Sequence, residues 1–218
     1  MVGGIWKPPQ YRRIRRLPFI PTETEIDQLI AGCSHRNATF LQLLKETGMR
    51  PGEAWSLRWI DIDYENNSVR VTPEKGSNPR ILKLSNKLIA MLKVLKMDKD
   101  YVFKNGLLKH FGGGFRQQRK RIAAKLKNSR IDRITFKTFR HFKGTMEYHK
   151  TKDILHVMKV LGHKNIKSTL VYTHLIDFKT DEYTKIARTA EEACKLVEAV
   201  FEYVCSTPEE YMLFRKRK

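Results

Sequence analysis

Two short motifs in the second half of the chain carry side chains suited to chemistry at a phosphate. The first runs from Lys137 through Arg140 to His141, and the second joins His163 to Tyr172. Lysine and arginine donate charge-assisted hydrogen bonds to phosphate oxygens, and a tyrosine hydroxyl can act as a covalent nucleophile. This combination predicts Tyr172 as a nucleophile, and we expect the rest of the chain to position it.

The chain carries a large excess of positive charge. Its 218 residues include 43 Lys and Arg against 23 Asp and Glu, which gives a formal net charge of +20. Solubility requires far less, and a heat-adapted surface would balance its lysines with glutamates. The excess therefore favours a polyanionic partner, and nucleic acid is the expected one.

Cysteine content and hydropathy exclude several classes of protein. Cys33, Cys194 and Cys205 form no C-x-x-C pair, which argues against a disulfide framework or a zinc knuckle and favours a reducing cytoplasm. No apolar run approaches the roughly 20 residues that a membrane span needs, so we expect no membrane partner. A hydrophobic content of 41% is sufficient for a folded core.

Residues 1–21 have the composition of a connecting arm, with paired glycines, paired prolines and a basic run. Such a segment is predicted to be extended and to lie along a phosphate backbone, and an unstructured basic tail is an equal alternative. The DNA-binding cations predicted in this arm are Arg12, Arg13, Arg15 and Arg16.

The helices predicted for the first half place an arginine beside an anion site. A capping box formed by Thr22 and Glu25 predicts a helix start, and a second helix over about 38–47 ends at Gly48. Pro51 suits the first position of a third helix, which leaves Arg50 at its entrance. Because the first N–H groups of a helix are unpaired, this entrance is a natural phosphate site.

Between Trp59 and Leu84 the apolar residues alternate with polar ones, which predicts a small antiparallel sheet. The alternating positions are Ile60 and Ile62, Val69 and Val71, and Leu82 and Leu84. Asn66 and Asn67 are predicted to form the first turn, and a second turn over 74–79 carries Lys75. The predicted fold class is therefore mainly α with a small antiparallel β-sheet.

A helix predicted over 109–127 supplies the main basic face. Its apolar side contains Phe111, Phe115, Ile122 and Leu126, and its cations lie elsewhere on its surface. Between Lys104 and Lys143 the only acidic residue is Asp132. This local excess predicts a DNA-tracking face formed by Arg116, Arg119, Lys120 and Lys127.

The remaining helices complete the predicted organisation. Thr135 is expected to cap a helix whose core residues are Phe139, Phe142 and Met146, and a helix over 153–161 is expected to end at Gly162. A longer helix is predicted over about 181–204, followed by a loose basic tail. We therefore expect a catalytic core over 22–178 and a C-terminal helix and tail over 179–218, with a possible contact between protomers.

The motifs together resemble those of the tyrosine recombinases, or phage-integrase family. That family carries T-G-x-R-x-x-E, a lysine on a β-hairpin, H/K-x-x-R-H, L-G-H and S-T-x-x-Y-T-H. The matching segments, in the same order, are Thr47–Glu53, Lys75, Lys137–His141, Leu161–His163 and Ser168–His174. Most members have histidine where this chain has Lys137. A lysine at this position resembles the variant found in archaeal viral and plasmid integrases.

The resemblance, which covers roughly residues 20–178, implies the tyrosine recombinase catalytic-domain fold and a mechanism. Tyr172 would attack a DNA phosphate to give a 3′-phosphotyrosine, without ATP or a metal ion, and Lys75 would protonate the leaving 5′-oxygen. The other implied catalytic residues are Arg50, Lys137, Arg140 and His163, with Glu53 and His141 in supporting roles.

The resemblance also implies partners. They are double-stranded DNA and further copies of the protein in a tetramer at synapsis. The core-binding domain that usually precedes the catalytic domain in this family is expected to be absent from this chain.

Two other functions compete with site-specific integration and excision. A type IB-like topoisomerase shares the same catalytic set but does not exchange DNA partners, and a non-catalytic DNA-binding module would keep only the fold and the basic face. His141, His156 and His174 do not follow a known metal-ligand spacing, so no metal site is predicted.

Overall fold

Helices dominate the fold, and a computed structural model describes residues 17–74, 76–96, 99–174, 182–206 and 212–217. The chain divides into two units, Met1–Leu175 and Ile176–Lys218. The first unit is mainly α with one small antiparallel sheet, which confirms the predicted fold class.

The first three helices lie where their caps predict. Helix α1 spans Glu23–Gly32 behind the Thr22 capping box, and α2 spans His35–Thr47. Gly48 ends α2 in the left-handed conformation, with φ of 62°. Helix α3 spans Pro51–Trp55 with Arg50 as its N-cap, as predicted.

The sheet is smaller than the alternation predicts. Strands β1 (Ile62–Asp63), β2 (Ser68–Val71) and β3 (Arg80–Lys83) pair antiparallel in the order β1-β2-β3. Val69 and Val71 are buried, but the prediction for Ile60 is wrong, because this side chain lies in a short 3₁₀ turn and is 82% exposed. The turn at Asn66 and Asn67 is confirmed, with φ of 46° at Asn67.

Four further helices complete this unit: α4 (Asn86–Lys93), α5 (Leu108–Lys125), α6 (Phe136–Thr151) and α7 (Ile154–Leu161). Thr135 caps α6, and Gly162 ends α7 with φ of 67°, both as predicted. Phe115 and Ile122 of α5 are buried, whereas Leu126 is exposed because the helix has already ended at Lys125.

Phe40 on α2 occupies the centre of the core. Its ring is fully buried and meets the rings of four other aromatic residues edge-on, at centroid distances between 5.0 and 6.3 Å. These partners are Trp55, Phe103, Phe111 and Phe136. Because they come from α3, α5, α6 and a loop, this cluster fixes α3 relative to α6, the two helices that carry the predicted arginines.

The second unit contradicts the sequence-based prediction. It contains β4 (Glu182–Ala187), α8 (Ala190–Glu198), β5 (Glu202–Ser206) and β6 (Met212–Arg217), with the antiparallel sheet order β4-β6-β5. The single helix predicted over 181–204 is therefore wrong, and Val197 and Val200 are exposed rather than buried. The tail predicted to be loose contains β6, which lies between the other two strands and pairs with both.

Among the residues that the structure describes, none of the helices is long and apolar enough to cross a membrane.

Phe40→Ala should lower the free energy of unfolding by about 3–5 kcal/mol, since it removes a buried ring and leaves a cavity. Urea denaturation followed by circular dichroism measures this loss. Ile60→Ala serves as the control and should change stability by no more than about 0.5 kcal/mol, because Ile60 is exposed. Equal losses in the two variants would contradict the placement of the core.

Candidate active site

Arg50 lies at the entrance of α3 and is held there by Glu53. The backbone N–H of Arg50 donates to Glu53 Oε2 at 2.9 Å, and its Nη1 donates to Oε1 at 3.1 Å. The Glu53 side chain is fully buried, whereas the Arg50 side chain remains 27% exposed. Arg50 is thus anchored at its backbone and on one nitrogen, and the rest of its guanidinium is available to a ligand.

Arg80, at the start of β3, shares the same carboxylate. Its Nη2 donates to Glu53 Oε2 at 2.7 Å, and its Nη1 lies 3.5 Å from Oε1. Burial by itself would raise the pKa of Glu53. The hydrogen bonds from Arg80 and from the Arg50 backbone, with the charges of Arg80 and Arg140, outweigh it and lower the pKa. Glu53 is therefore an ionised acceptor between two arginines.

Arg140 reaches the site from the second turn of α6. Its Nη1 donates to the carbonyl of Gly48 at 2.8 Å, and its Nη2 donates to the carbonyl of Leu161 at 2.6 Å. These carbonyls lie at the C-terminal ends of α2 and α7, where helix carbonyls lack partners and carry partial negative charge. Desolvation and the charge of Arg50 lower the pKa of Arg140 to about 10, so the group remains a cation at neutral pH.

Tyr172 lies in a 3₁₀ turn, Leu170–His174, and its ring is buried. The ring lies directly against α6 at Gly144, where an added Cβ would approach the Tyr172 Cζ atom to 2.7 Å. Burial raises the pKa of the hydroxyl, while the charges of Arg140 and Arg50 act to lower it. The net shift of this pKa is upward, so the hydroxyl is protonated at neutral pH, and the two arginines offset part of the cost of forming the nucleophilic phenolate.

Two histidines flank the Tyr172 ring. His141 Nδ1 lies 3.4 Å from the hydroxyl oxygen, and the His163 ring stacks on the tyrosine with a centroid distance of 6.5 Å and an interplanar angle of 9°. Desolvation and the nearby arginines lower the pKa of His163 to about 4. Both imidazoles are shifted towards the neutral form, since burial and neighbouring cations also lower the pKa of His141.

The structure therefore brings together most of the predicted site from distant parts of the chain. Arg50, Glu53, Arg140, His141, His163 and Tyr172 converge within the first unit. Cationic donors, a neutral imidazole and a buried hydroxyl at one place can stabilise a pentacoordinate phosphate and attack it.

Other predicted residues stand apart from this cluster or fall outside the described residues. Lys137 is exposed at the start of α6, and its charge contributes to lowering the pKa of His141. Arg116, Lys120 and Lys127 are exposed on and just after α5. Arg119 is engaged within the protein, donating to Asp132 Oδ1 at 3.0 Å and to the Ile134 carbonyl at 2.8 Å. Lys75 and the arm residues Arg12, Arg13, Arg15 and Arg16 lie outside the described part of the chain.

Sequence reasoning missed three residues that shape the site. Arg80 supplies the second cation to Glu53, and Gly144 makes room for the tyrosine ring. Thr169 is buried and links the two halves of the second motif, because its hydroxyl lies 2.9 Å from His163 Nδ1 and its carbonyl accepts from the Tyr172 N–H. The available signals were an arginine at the start of a strand (Arg80) and a glycine inside a helix (Gly144). Neither signal indicates the residue that it contacts, which is Glu53 for Arg80 and Tyr172 for Gly144.

Comparison with known proteins identifies relatives of this arrangement. The model of the phage integrase family matches residues 21–178. A tyrosine recombinase of Thermosipho africanus is 33% identical over 187 residues, covering 80% of this chain and 65% of that protein. Tyrosine recombinase XerA of Saccharolobus solfataricus is 30% identical over 165 residues, covering 75% of this chain and 55% of its own length. The chain thus spans between 55% and 65% of the length of these relatives.

Solved structures share the fold. The XerA recombinase crystal structure superposes with a TM-score of 0.63 at 24% identity, covering 75% of this chain and 63% of that one. The catalytic domain of bacteriophage HP1 integrase gives a TM-score of 0.54 at 21% identity, covering 72% of this chain and 88% of that domain. These likenesses confirm the predicted catalytic-domain fold.

The low pKa of His163 leads to a prediction about stability and pH. The ordinary pKa of histidine is 6.5 and that of folded His163 is about 4, so between these values the folded protein binds fewer protons than the unfolded chain. The contribution of neutral His163 to the free energy of unfolding is therefore complete above pH 6.5 and is lost as the pH falls towards about 4. Urea unfolding across this range should give a steeper loss for the wild type than for His163→Gln. Parallel curves would contradict the buried neutral imidazole.

Proposed function

This chain belongs to the phage integrase family, and we propose that it forms the catalytic part of a tyrosine recombinase that cleaves and rejoins double-stranded DNA. The observation that carries the proposal is the convergence of Arg50, Arg140 and His163 on Tyr172, in a unit with a large excess of positive charge. The DNA complexes among proteins of similar fold, such as XerH bound to its difH substrate, support DNA as the partner.

In the proposed reaction the Tyr172 oxygen attacks phosphorus in line with the 5′-oxygen of the next nucleotide, and the hydroxyl proton passes to His141 Nδ1, which lies 3.4 Å away. The new bond gives a 3′-phosphotyrosine, the P–O5′ bond breaks, and the departing oxygen takes a proton from Lys75. Arg50 and Arg140 donate to the non-bridging oxygens as negative charge develops on them, and losing one such donor costs about 10²–10³-fold in rate.

The histidines have separate proposed roles. His141, at 3.4 Å from the hydroxyl, orients it for attack. His163 Nδ1 lies 2.9 Å from the Thr169 hydroxyl, and we assign the tautomer in which Nδ1 accepts from that hydroxyl and Nε2–H donates to the scissile phosphate. Lys137 is proposed as a phosphate contact from the start of α6, because its side chain is charged and exposed there. Phosphotyrosine formation conserves the energy of the phosphodiester, so the proposal includes no ATP and no metal ion.

We further propose that the recombinase integrates and excises a mobile element. Lys137 supports a relationship to archaeal viral and plasmid integrases, which the sequence resembles at this position. Exchange of strands between two duplexes requires four cleavages, and we therefore include a tetramer at synapsis. The exposed cations of and beside α5 (Arg116, Lys120 and Lys127) track the DNA backbone in this proposal, together with the basic arm.

Tyr172→Phe should abolish covalent attachment to DNA. The substitution removes only the hydroxyl, so the buried ring, the fold and DNA binding should be retained. The measurement is the yield of denaturant-resistant protein–DNA adduct on a pool of nicked duplexes of varied sequence, in which the released fragment diffuses away. A non-covalent gel-shift assay on the same DNA is the control. An adduct that persists in Tyr172→Phe would contradict the proposed nucleophile.

Arg116→Ala and Lys120→Ala should each weaken DNA binding and reduce the slope of log affinity against log salt by about 1. Both side chains are exposed, so stability should stay within about 0.5 kcal/mol of the wild type. Arg119→Ala is the matched control from the same helix: its ion pair with Asp132 predicts a loss of stability rather than a change in salt slope. A wild-type slope for the two exposed variants would remove α5 from the DNA interface.

Strand transfer between two differently labelled duplexes separates recombination from relaxation. A recombinase yields joint products that combine both labels. A type IB-like topoisomerase would form the same covalent intermediate and reseal only the original partner, so covalent attachment without joint products would favour that function.

A further inference from the structure

We infer that Arg80 is a positioning residue that neutralises the charge of Glu53 and thereby leaves the guanidinium of Arg50 free for the substrate phosphate. The inference rests on the proposed function, because it assigns a role to a side chain behind the phosphate-binding arginine. Three observations carry it: the division of the Glu53 carboxylate between two arginines, the difference in their exposure, and the way the fold locks Arg80 in place.

The carboxylate of Glu53 is divided unequally between the two arginines. Both nitrogens at the end of Arg80 face it, with Nη2 at 2.7 Å from Oε2 and Nη1 at 3.5 Å from Oε1. Within the described part of the chain, the Arg50 side chain makes one hydrogen bond to Glu53, from Nη1 to Oε1 at 3.1 Å, and the second bond comes from the Arg50 backbone N–H. Arg80 therefore faces the carboxylate in the bidentate arrangement that arginine and carboxylate prefer. Arg50 cannot adopt this arrangement while Arg80 is present.

Exposure separates the roles of the two arginines. The Arg80 side chain is 5% exposed and Glu53 is fully buried, whereas the Arg50 side chain is 27% exposed. A direct phosphate contact is the alternative role for Arg80, but both of its terminal nitrogens face the charged carboxylate of Glu53, which argues against this. Arg80 acts on the phosphate site through Glu53, and Arg50 acts on it directly.

The charge of Glu53 makes this division necessary. A buried carboxylate requires a cationic partner, because an uncompensated charge in the interior is strongly unfavourable. Among the described residues, the nearest cation that would remain without Arg80 is Arg50, and its guanidinium would turn onto Glu53 and away from a ligand. Since a misplacement of about 1 Å can cost about 10²-fold in rate, this rotation would impair cleavage without removing any phosphate-binding side chain.

The surrounding fold holds Arg80 rigidly. It opens β3, where it pairs with Val71, and its Nη1 lies near the carbonyl of Asn78 at 3.4 Å. An added Cβ at Gly162 would approach Nη1 to 2.7 Å, and the Gly162 carbonyl accepts from the Asn78 N–H at 3.1 Å. Arg80 thus joins β3, the entrance of α3 and the end of α7, and a side chain at Gly162 would displace it.

Charge rescue tests the inference. Arg80→Met should lower the single-turnover rate of adduct formation by about 10- to 100-fold, with DNA affinity little changed. Adding Glu53→Gln removes the charge that competes for Arg50, so the double variant should recover most of the lost rate. Arg80→Lys, which keeps the charge but not the fork, should fall between Arg80→Met and the wild type. Rates are compared per folded protein, well below the melting temperature of each variant.

A second measurement does not depend on activity. The Nε–Hε NMR signal of Arg50 in DNA-free protein should shift in Arg80→Met, as its guanidinium turns onto Glu53, and return towards its wild-type position in the double variant. An unmoved signal in Arg80→Met would overturn the inference, as would a rate that Glu53→Gln fails to restore. A wild type that forms no adduct would count against the proposed function alone, because the NMR outcome still decides the role of Arg80.

Discussion

The site depends on holding three arginines together, two of them buried, with the Glu53 carboxylate shared by Arg50 and Arg80. Glu53 compensates Arg50 and Arg80, and the carbonyls at the ends of α2 and α7 compensate Arg140. Like charges repel strongly where water is excluded, so each arginine requires fixed acceptors beside its guanidinium. The positive charge that remains uncompensated is what a phosphate would neutralise.

This requirement explains much of the surrounding architecture. Helices α2 and α7 must end where their unpaired carbonyls face α6, and glycines at 48 and 162 in the left-handed conformation end them there. The aromatic cluster around Phe40 fixes α3 relative to α6 and so sets the distance between Arg50 and Arg140. The aromatic core and the ends of these helices thus position the arginines of an anion-binding site.

The parts of the fold that could be predicted from the sequence are those with local signals. Capping boxes, a proline at a helix start and glycines at helix ends locate α1, α3 and α7, and motif spacing identifies Arg50, Arg140 and Tyr172. Arg80 could not be found in this way, because its role depends on a partner 27 residues away. The second unit was mispredicted for a similar reason: β4 and β5 gain their partner only when β6 pairs between them.

We propose that Tyr172, which is buried beside these arginines, is the residue that bonds to DNA. Mass spectrometry of the proteolysed adduct, after nuclease digestion of the attached strand, measures both the modified residue and the end of the DNA that is attached. The expected product is a nucleotide joined through its 3′-phosphate to the peptide that contains Tyr172. Attachment to any other residue, or through a 5′-phosphate, would contradict it.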